Sequence, residues 1–131
     1  MKTLHLITYM LSALILAGCS RNSSGTYEGM CQNQTYGGIA QMSLIINENN
    51  NVVTGSLTLS GDLGGGGTIQ GRKDGTTISF VTKNAYAQIT WSGKINGSDI
   101  KGNYIIESSP GYVAATGNVE SQRGTWKVTK K

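Results

Sequence analysis

Val53-Thr54-Gly55-Ser56-Leu57-Thr58-Leu59 alternates apolar or small residues with hydroxylated ones at every second position. A period of two puts Val53, Gly55, Leu57 and Leu59 on one face of a strand and gives the other face to water. The rhythm recurs along the chain. Gly124, Trp126 and Val128 oppose Thr125, Lys127 and Thr129; Tyr27, Gly29 and Cys31 align, as do Ile100, Gly102, Tyr104 and Ile106. From Thr26 onward no window has useful helical periodicity, and runs rich in Val, Ile, Thr and Tyr are separated by clusters of Gly, Asn, Asp and Ser. This pattern predicts eight strands, at 26–32, 39–47, 51–59, 67–73, 76–82, 86–95, 99–107 and 124–130. The stretch 112–119 reads as a ninth strand or as an extension of its neighbours.

The expected connections are short. Glu48-Asn49-Asn50, Asp74-Gly75, Lys83-Asn84 and Asn96-Gly97 each join two strands, the last as a type I′ candidate with positive φ at both central residues. Ser109-Pro110-Gly111 reads as a further turn. Links this short force antiparallel neighbours, because a parallel pair needs a crossover of a dozen residues or more. Glycines recur inside strands, as in Val53-Thr54-Gly55-Ser56, Ile69-Gln70-Gly71-Arg72, Trp91-Ser92-Gly93-Lys94 and Ile100-Lys101-Gly102-Asn103. Glycine weakens a strand, so repeated use points to tight curvature. An open meander would leave two edges and an apolar face uncovered, and closure removes both problems. The expected fold is all-β: an antiparallel up-and-down meander closing into a small eight-stranded barrel, with a two-sheet sandwich as the alternative.

Ahead of this domain stands a different kind of sequence. Met1-Lys2 is followed by an apolar stretch that ends Leu16-Ala17-Gly18-Cys19. One positive charge, a short apolar core and small residues before a break are the parts of a secretory signal. The core is too short for a spanning helix, which needs about 20 residues. The ending resembles the lipobox of bacterial lipoproteins. The resemblance implies a signal peptide over 1–18, a diacylglycerol on the Cys19 sulfur, and acylation of the new amino terminus. One acyl chain holds reversibly at roughly 0.8 kcal/mol per buried CH₂, whereas two or three hold almost permanently. Ser20, in place of the Asp that retains such proteins at the inner membrane, favours the outer membrane. Residues 19–25 read as a polar tether and 26–131 as one barrel domain.

The glycine rhythm and the last strand, Gly124-Thr125-Trp126-Lys127-Val128, are similar to the small calycin-type barrels, avidins and lipocalins among them. Ile89-Thr90-Trp91-Ser92-Gly93 is similar to an inner strand of the avidins. Avidins hold biotin with several tryptophans and a polar set of Asn, Ser, Tyr and Asp. This chain has only Trp91 and Trp126, and the polar set has no residue-by-residue counterpart, so biotin binding is not carried over. Gly25-Thr26-Tyr27 stands where most lipocalins open with Gly-x-Trp.

The residue inventory narrows the chemistry. The one histidine, His5, lies in the leader. Cys31 then has no base to make its thiolate and no second thiol for an internal disulfide, and it reads as a small buried hydrophobe. Gly61-Asp62-Leu63-Gly64-Gly65-Gly66-Gly67 lacks the helix and the Lys-Ser or Lys-Thr pair of a nucleotide cradle and reads as a hairpin loop. The acids sit mostly at turns or strand ends, and no calcium-loop pattern is present, so neither a catalytic set, a metal nor a cofactor is expected. The mature chain keeps 10 Lys and Arg against 7 acids. Lys130 and Lys131 read as solvated or close to anionic headgroups, and export argues against nucleic acid. Trp91, Tyr104 and Trp126 are the residues expected in a pocket wall, if the aromatic core leaves one. The functional expectation is a lipid-anchored, non-catalytic binding or interaction module of the cell envelope with an envelope or surface protein as partner. The alternatives are a carrier of one small apolar ligand, or an inhibitor of an extracytoplasmic hydrolase.

Overall fold

Three two-residue turns set the register of the molecule. Asn49 pairs with Val52 across Asn50-Asn51, Asp74 with Thr77 across Gly75-Thr76, and Asn96 with Asp99 across Gly97-Ser98. Asn50 and Asn51 have φ of 51° and 67°, the two positive values that a type I′ hairpin needs. At the third turn the bend lies one residue later than expected and only Gly97 is positive, at 61°. The computed structural model describes residues 22–64, 66–83, 87–117 and 121–131, and no side chains over 110–112. The leader, Cys19 and residues 84–86, including the expected Lys83-Asn84 link, lie wholly or partly outside the described residues.

Eight strands follow in order: β1 (Gly25–Asn33), β2 (Ile39–Asn49), β3 (Val52–Gly61), β4 (Gly67–Asp74), β5 (Thr77–Lys83), β6 (Ala87–Asn96), β7 (Asp99–Ser108) and β8 (Ser121–Lys130). Each pairs antiparallel with the next, and β8 returns to β1, so the meander closes into a barrel as the alternation and short links predicted. The sandwich alternative is excluded by that last pairing. The expected ninth strand is a correction. Pro110–Thr116 is a short helix, α1, and residues 118–119 lie outside the described residues. Tyr112 and Val113 favour strands, but Pro110 presets the first helical φ and Ala114-Ala115 propagate the turn. Gly117 then ends it in the left-handed conformation at φ 73°, its N–H donating to Val113 O at 2.8 Å.

The inward residues align in rows across the strands. Gly71, Phe80, Trp91, Tyr104 and Gly124 follow one another in register from β4 to β8. Eight strands leave an interior that side chains just fill, and here large residues fill it only because glycine stands beside them. A Cβ on Gly124 would collide with the Tyr104 ring, and one on Gly93 would lie 2.7 Å from the Trp126 ring. Trp91 lies 4.8 Å from Tyr104 and 6.0 Å from Trp126 between ring centroids, so aromatic packing joins β6, β7 and β8 across the interior.

Candidate ligand site at the barrel mouth

The two ends of the barrel are built differently. The three tight turns and both described chain termini lie at one end; the longer connections 34–38, 62–66 and 109–120 lie at the other. At the tight end, inward parity carries Glu48 on β2 and Lys73 on β4 inside, where they form a 2.8 Å ion pair with side-chain exposures of 7 % and 6 %. Ser23 donates to Glu48 Oε1 from its backbone N–H at 2.8 Å and its hydroxyl at 2.7 Å. Tyr27 donates its hydroxyl to Ser23 O at 2.7 Å. Burial alone would raise the Glu48 carboxyl, but the bonds from Lys73 and Ser23 and the charge of Lys73 outweigh it and hold the carboxyl below its ordinary range. Asn22, Ser23 and Ser24, from the segment read as a tether, are thus folded onto the β2 end, with Asn22 Nδ2 donating to Glu48 O and the Glu48 N–H donating to Ser24 Oγ.

The other end holds a cavity of about 240 Å³. Its apolar wall is Leu59, Leu63, Ile89, Trp91 and Ile106, and its polar side comprises Cys31, Asn33, Asp62, Tyr104 and Gln122. At about 30 Å³ per water this is room for roughly eight waters, or for one small organic molecule. Most of the polar groups are already committed. Asn33 Nδ2 donates to Gln122 Oε1 at 2.7 Å, while Asn33 Oδ1 accepts from the backbone N–H groups of Thr35 and Tyr36, both at 2.9 Å. Trp91 turns its indole N–H away to Thr82 Oγ1 at 3.2 Å. Asp62 Oδ2 accepts from the Ile39 N–H at 3.3 Å.

One group is left over. The Tyr104 hydroxyl is buried and has no hydrogen-bond partner among the described residues. Burial, and then the nearby Cys31 thiol, push its pKa up to about 12, so it stays a neutral donor. The Cys31 thiol is itself pushed up by burial, against a smaller opposing pull from a backbone bond at Ala40. It therefore stays a buried thiol, the opposite of an activated nucleophile. Among the described residues no group of three His, Cys, Asp or Glu could hold a metal ion.

Of the three residues expected in a pocket wall, Trp91 and Tyr104 meet at this cavity. Trp126 does not. It is buried one row nearer the tight end, where its indole N–H is shared between Ser92 O at 3.2 Å and Asn103 O at 3.1 Å. Leu59, Ile89 and Ile106 escaped the list although their parity matches Trp91 and Tyr104. Asn33 and Gln122 continue the inward parity of Cys31 and Gly124 to the strand ends, while Leu63 comes from a loop and carries no periodic signal.

No family model matches the chain, and no curated protein matches it. Solved structures do. Apo bradavidin2 superposes with a TM-score of 0.60 at 17 % identity, over 83 % of this chain and 98 % of that one. The bradavidin2–biotin complex gives 0.61 at 19 % identity, over 84 % and 99 %. Apo shwanavidin gives 0.53 at 18 % identity, over 85 % and 100 %. The fold is avidin-like. At this identity the likeness is one of architecture, and the expected similarity to small calycin-type barrels holds at that level.

Proposed function

We propose that this chain is a lipid-anchored envelope protein that acts without catalysis, by holding one small, largely apolar molecule in the mouth of its barrel. The observation that carries the reading is the Tyr104 hydroxyl. A buried hydroxyl without a partner costs about 1–3 kcal/mol, and a barrel that needed only a packed core would place Phe there. The Tyr104 ring lines the cavity, and a small shift of that ring away from Gly124 would turn its hydroxyl to a ligand whose remaining surface meets Leu59, Leu63, Ile89, Trp91 and Ile106. That one fold neighbour is solved with biotin supports a ligand inside the barrel; the apolar walls here favour an uncharged molecule with a single hydrogen-bonding group. A neutral Cys31 and the absence of histidine outside the leader support a role without bond chemistry. The lipid half of the reading is carried by Leu16-Ala17-Gly18-Cys19.

A second reading has its own observation. Tyr36 is 74 % exposed and Ile39 46 % exposed at the mouth rim, an apolar edge suited to an envelope or surface protein. Two masses separate the claims. Intact mass spectrometry of protein extracted from membranes should find the chain starting at Cys19 with diacylglycerol and acyl mass added. Native mass spectrometry of the same material should find one small-molecule adduct per barrel. An unmodified chain removes the anchor, and a barrel that stays empty when offered a small-molecule extract of its own cells removes the ligand.

A further inference from the structure

Lys94, Lys101 and Lys127 stand directly opposite one another on three adjacent strands, all outward-facing and exposed. Like charges in opposed positions repel, and among the described residues neither ion pair includes any of the three. The outward carboxylates one row nearer the tight end are engaged elsewhere: Asp99 Oδ1 accepts from the Thr129 hydroxyl at 2.7 Å, and Glu28 pairs with Lys131 at 2.7 Å. Met30, 52 % exposed, continues the row beside Lys127. Together these residues border an open groove of about 890 Å³ that Gly102 and Trp126 also line.

The row lies towards the tight end, and so does most of the exposed positive charge. Arg72, Lys94, Lys101, Lys127, Lys130 and Lys131 are in that half, against Glu28, Asp74 and Asp99. Among the described residues the mouth half is balanced, with Lys83 and Arg123 against Asp62 and Glu107. The chain also enters the barrel at the tight end, where Asn22 and Ser23 bond to Glu48. If Cys19 carries the lipid, three residue steps at no more than about 3.6 Å each keep that end within about 11 Å of its anchor.

We propose that the Lys94–Lys101–Lys127 face docks on an anionic phospholipid bilayer, holding the tight end against the headgroups and turning the mouth away from the membrane. The inference rests on lipidation of Cys19 for the tether, while the docking surface is independent of it. A second copy of the chain is a poor occupant, since apposed copies of this face would set lysine against lysine. Lipid phosphates relieve the repulsion within the row, and Met30 reaches the interface beside them.

The test uses the protein extracted from membranes and reconstituted in vesicles of phosphatidylcholine alone or mixed with phosphatidylglycerol. Amine acetylation, read by peptide mass spectrometry, reports each lysine. On the anionic vesicles Lys94, Lys101 and Lys127 should react about fivefold more slowly than on the neutral ones. High salt should restore them, and Lys83 at the mouth should react alike on both. Lys101→Glu should abolish the protection of Lys94 and Lys127 while raising the melting temperature, because it turns two repulsions into attractions. Equal labelling on both vesicles overturns the proposal. Protection that follows protein density rather than lipid charge also overturns it and assigns the face to a second copy. Failure to float with neutral vesicles refutes the anchor alone, because binding to the anionic ones then reads the docking directly.

Discussion

The tight end and the mouth of this barrel handle buried polar groups in opposite ways. At the tight end a carboxylate and an ammonium are taken out of water together, and Glu48 is further bonded by both donors of Ser23. At the mouth the Tyr104 hydroxyl is taken out of water and finds no partner among the described residues. The first arrangement closes one end of the barrel and joins β2, β4 and the entering chain. The second is a cost that folding alone does not explain, and it sits beside the cavity. One end spends its buried polar groups on the fold, and the other holds the hydroxyl on which the proposed ligand reading rests.

Substitutions can break either side of that contrast. The largest effect is expected at the tight end. Lys73→Met leaves Glu48 buried without its counter-charge and should lower stability by about 3 kcal/mol in urea denaturation. Adding Glu48→Gln to it should recover part of the loss. Next comes Gly124→Ala, whose new Cβ meets the Tyr104 ring. Overpacking of this kind costs about 2 kcal/mol, and the displaced ring should also change the native-mass adduct. A stability loss below about 0.5 kcal/mol, the range of an ordinary surface change, would mean that the ring and the glycine are not in contact.

The acid limb sharpens the tight-end account with a smaller effect. The folded Glu48 carboxyl lies below its ordinary value of 4.5, so its contribution is complete above that pH. It is lost as pH falls through the lower folded value, when protonation of Glu48 removes its attraction to Lys73. Wild-type stability should therefore drop on acidification more steeply than that of Lys73→Met. Parallel curves would show that the pair contributes nothing.

The fold was legible because two independent signals agree along nearly the whole chain. Alternation as in Val53–Leu59 gives the strands, and Asn, Asp and Gly between them give links too short for anything but antiparallel neighbours. Where the signals disagree, the reading failed. Tyr112-Val113 favours a strand locally, while Pro110 and Gly117 bracket a helix, and the bracketing residues won. Glu48 was expected in the Glu48-Asn49-Asn50 link, and Lys73 was counted only as part of the basic excess. Their parity with Ile46 and with Ile69 and Gly71 would have placed both inside. The site was legible only in part. Trp91 and Tyr104 are large and in phase, and aromatic bulk alone points to them. Asn33 and Gln122 are 89 residues apart and meet only because β8 closes on β1; no local pattern encodes that meeting. The missing partner of Tyr104 is equally invisible in sequence, since it depends on what every surrounding group is already bonded to.

The central claim is that Tyr104 keeps its hydroxyl for a ligand, and calorimetry of wild type and Tyr104→Phe, each with and without a small-molecule extract of the cells, tests it most directly. In buffer the phenylalanine variant should melt higher, by about 1 kcal/mol of stability, because an unsatisfied hydroxyl is removed. With the extract the order should reverse, since only the wild type gains a bond to the bound molecule. A Tyr104→Phe barrel that is stabilised by the extract as much as the wild type would contradict the account.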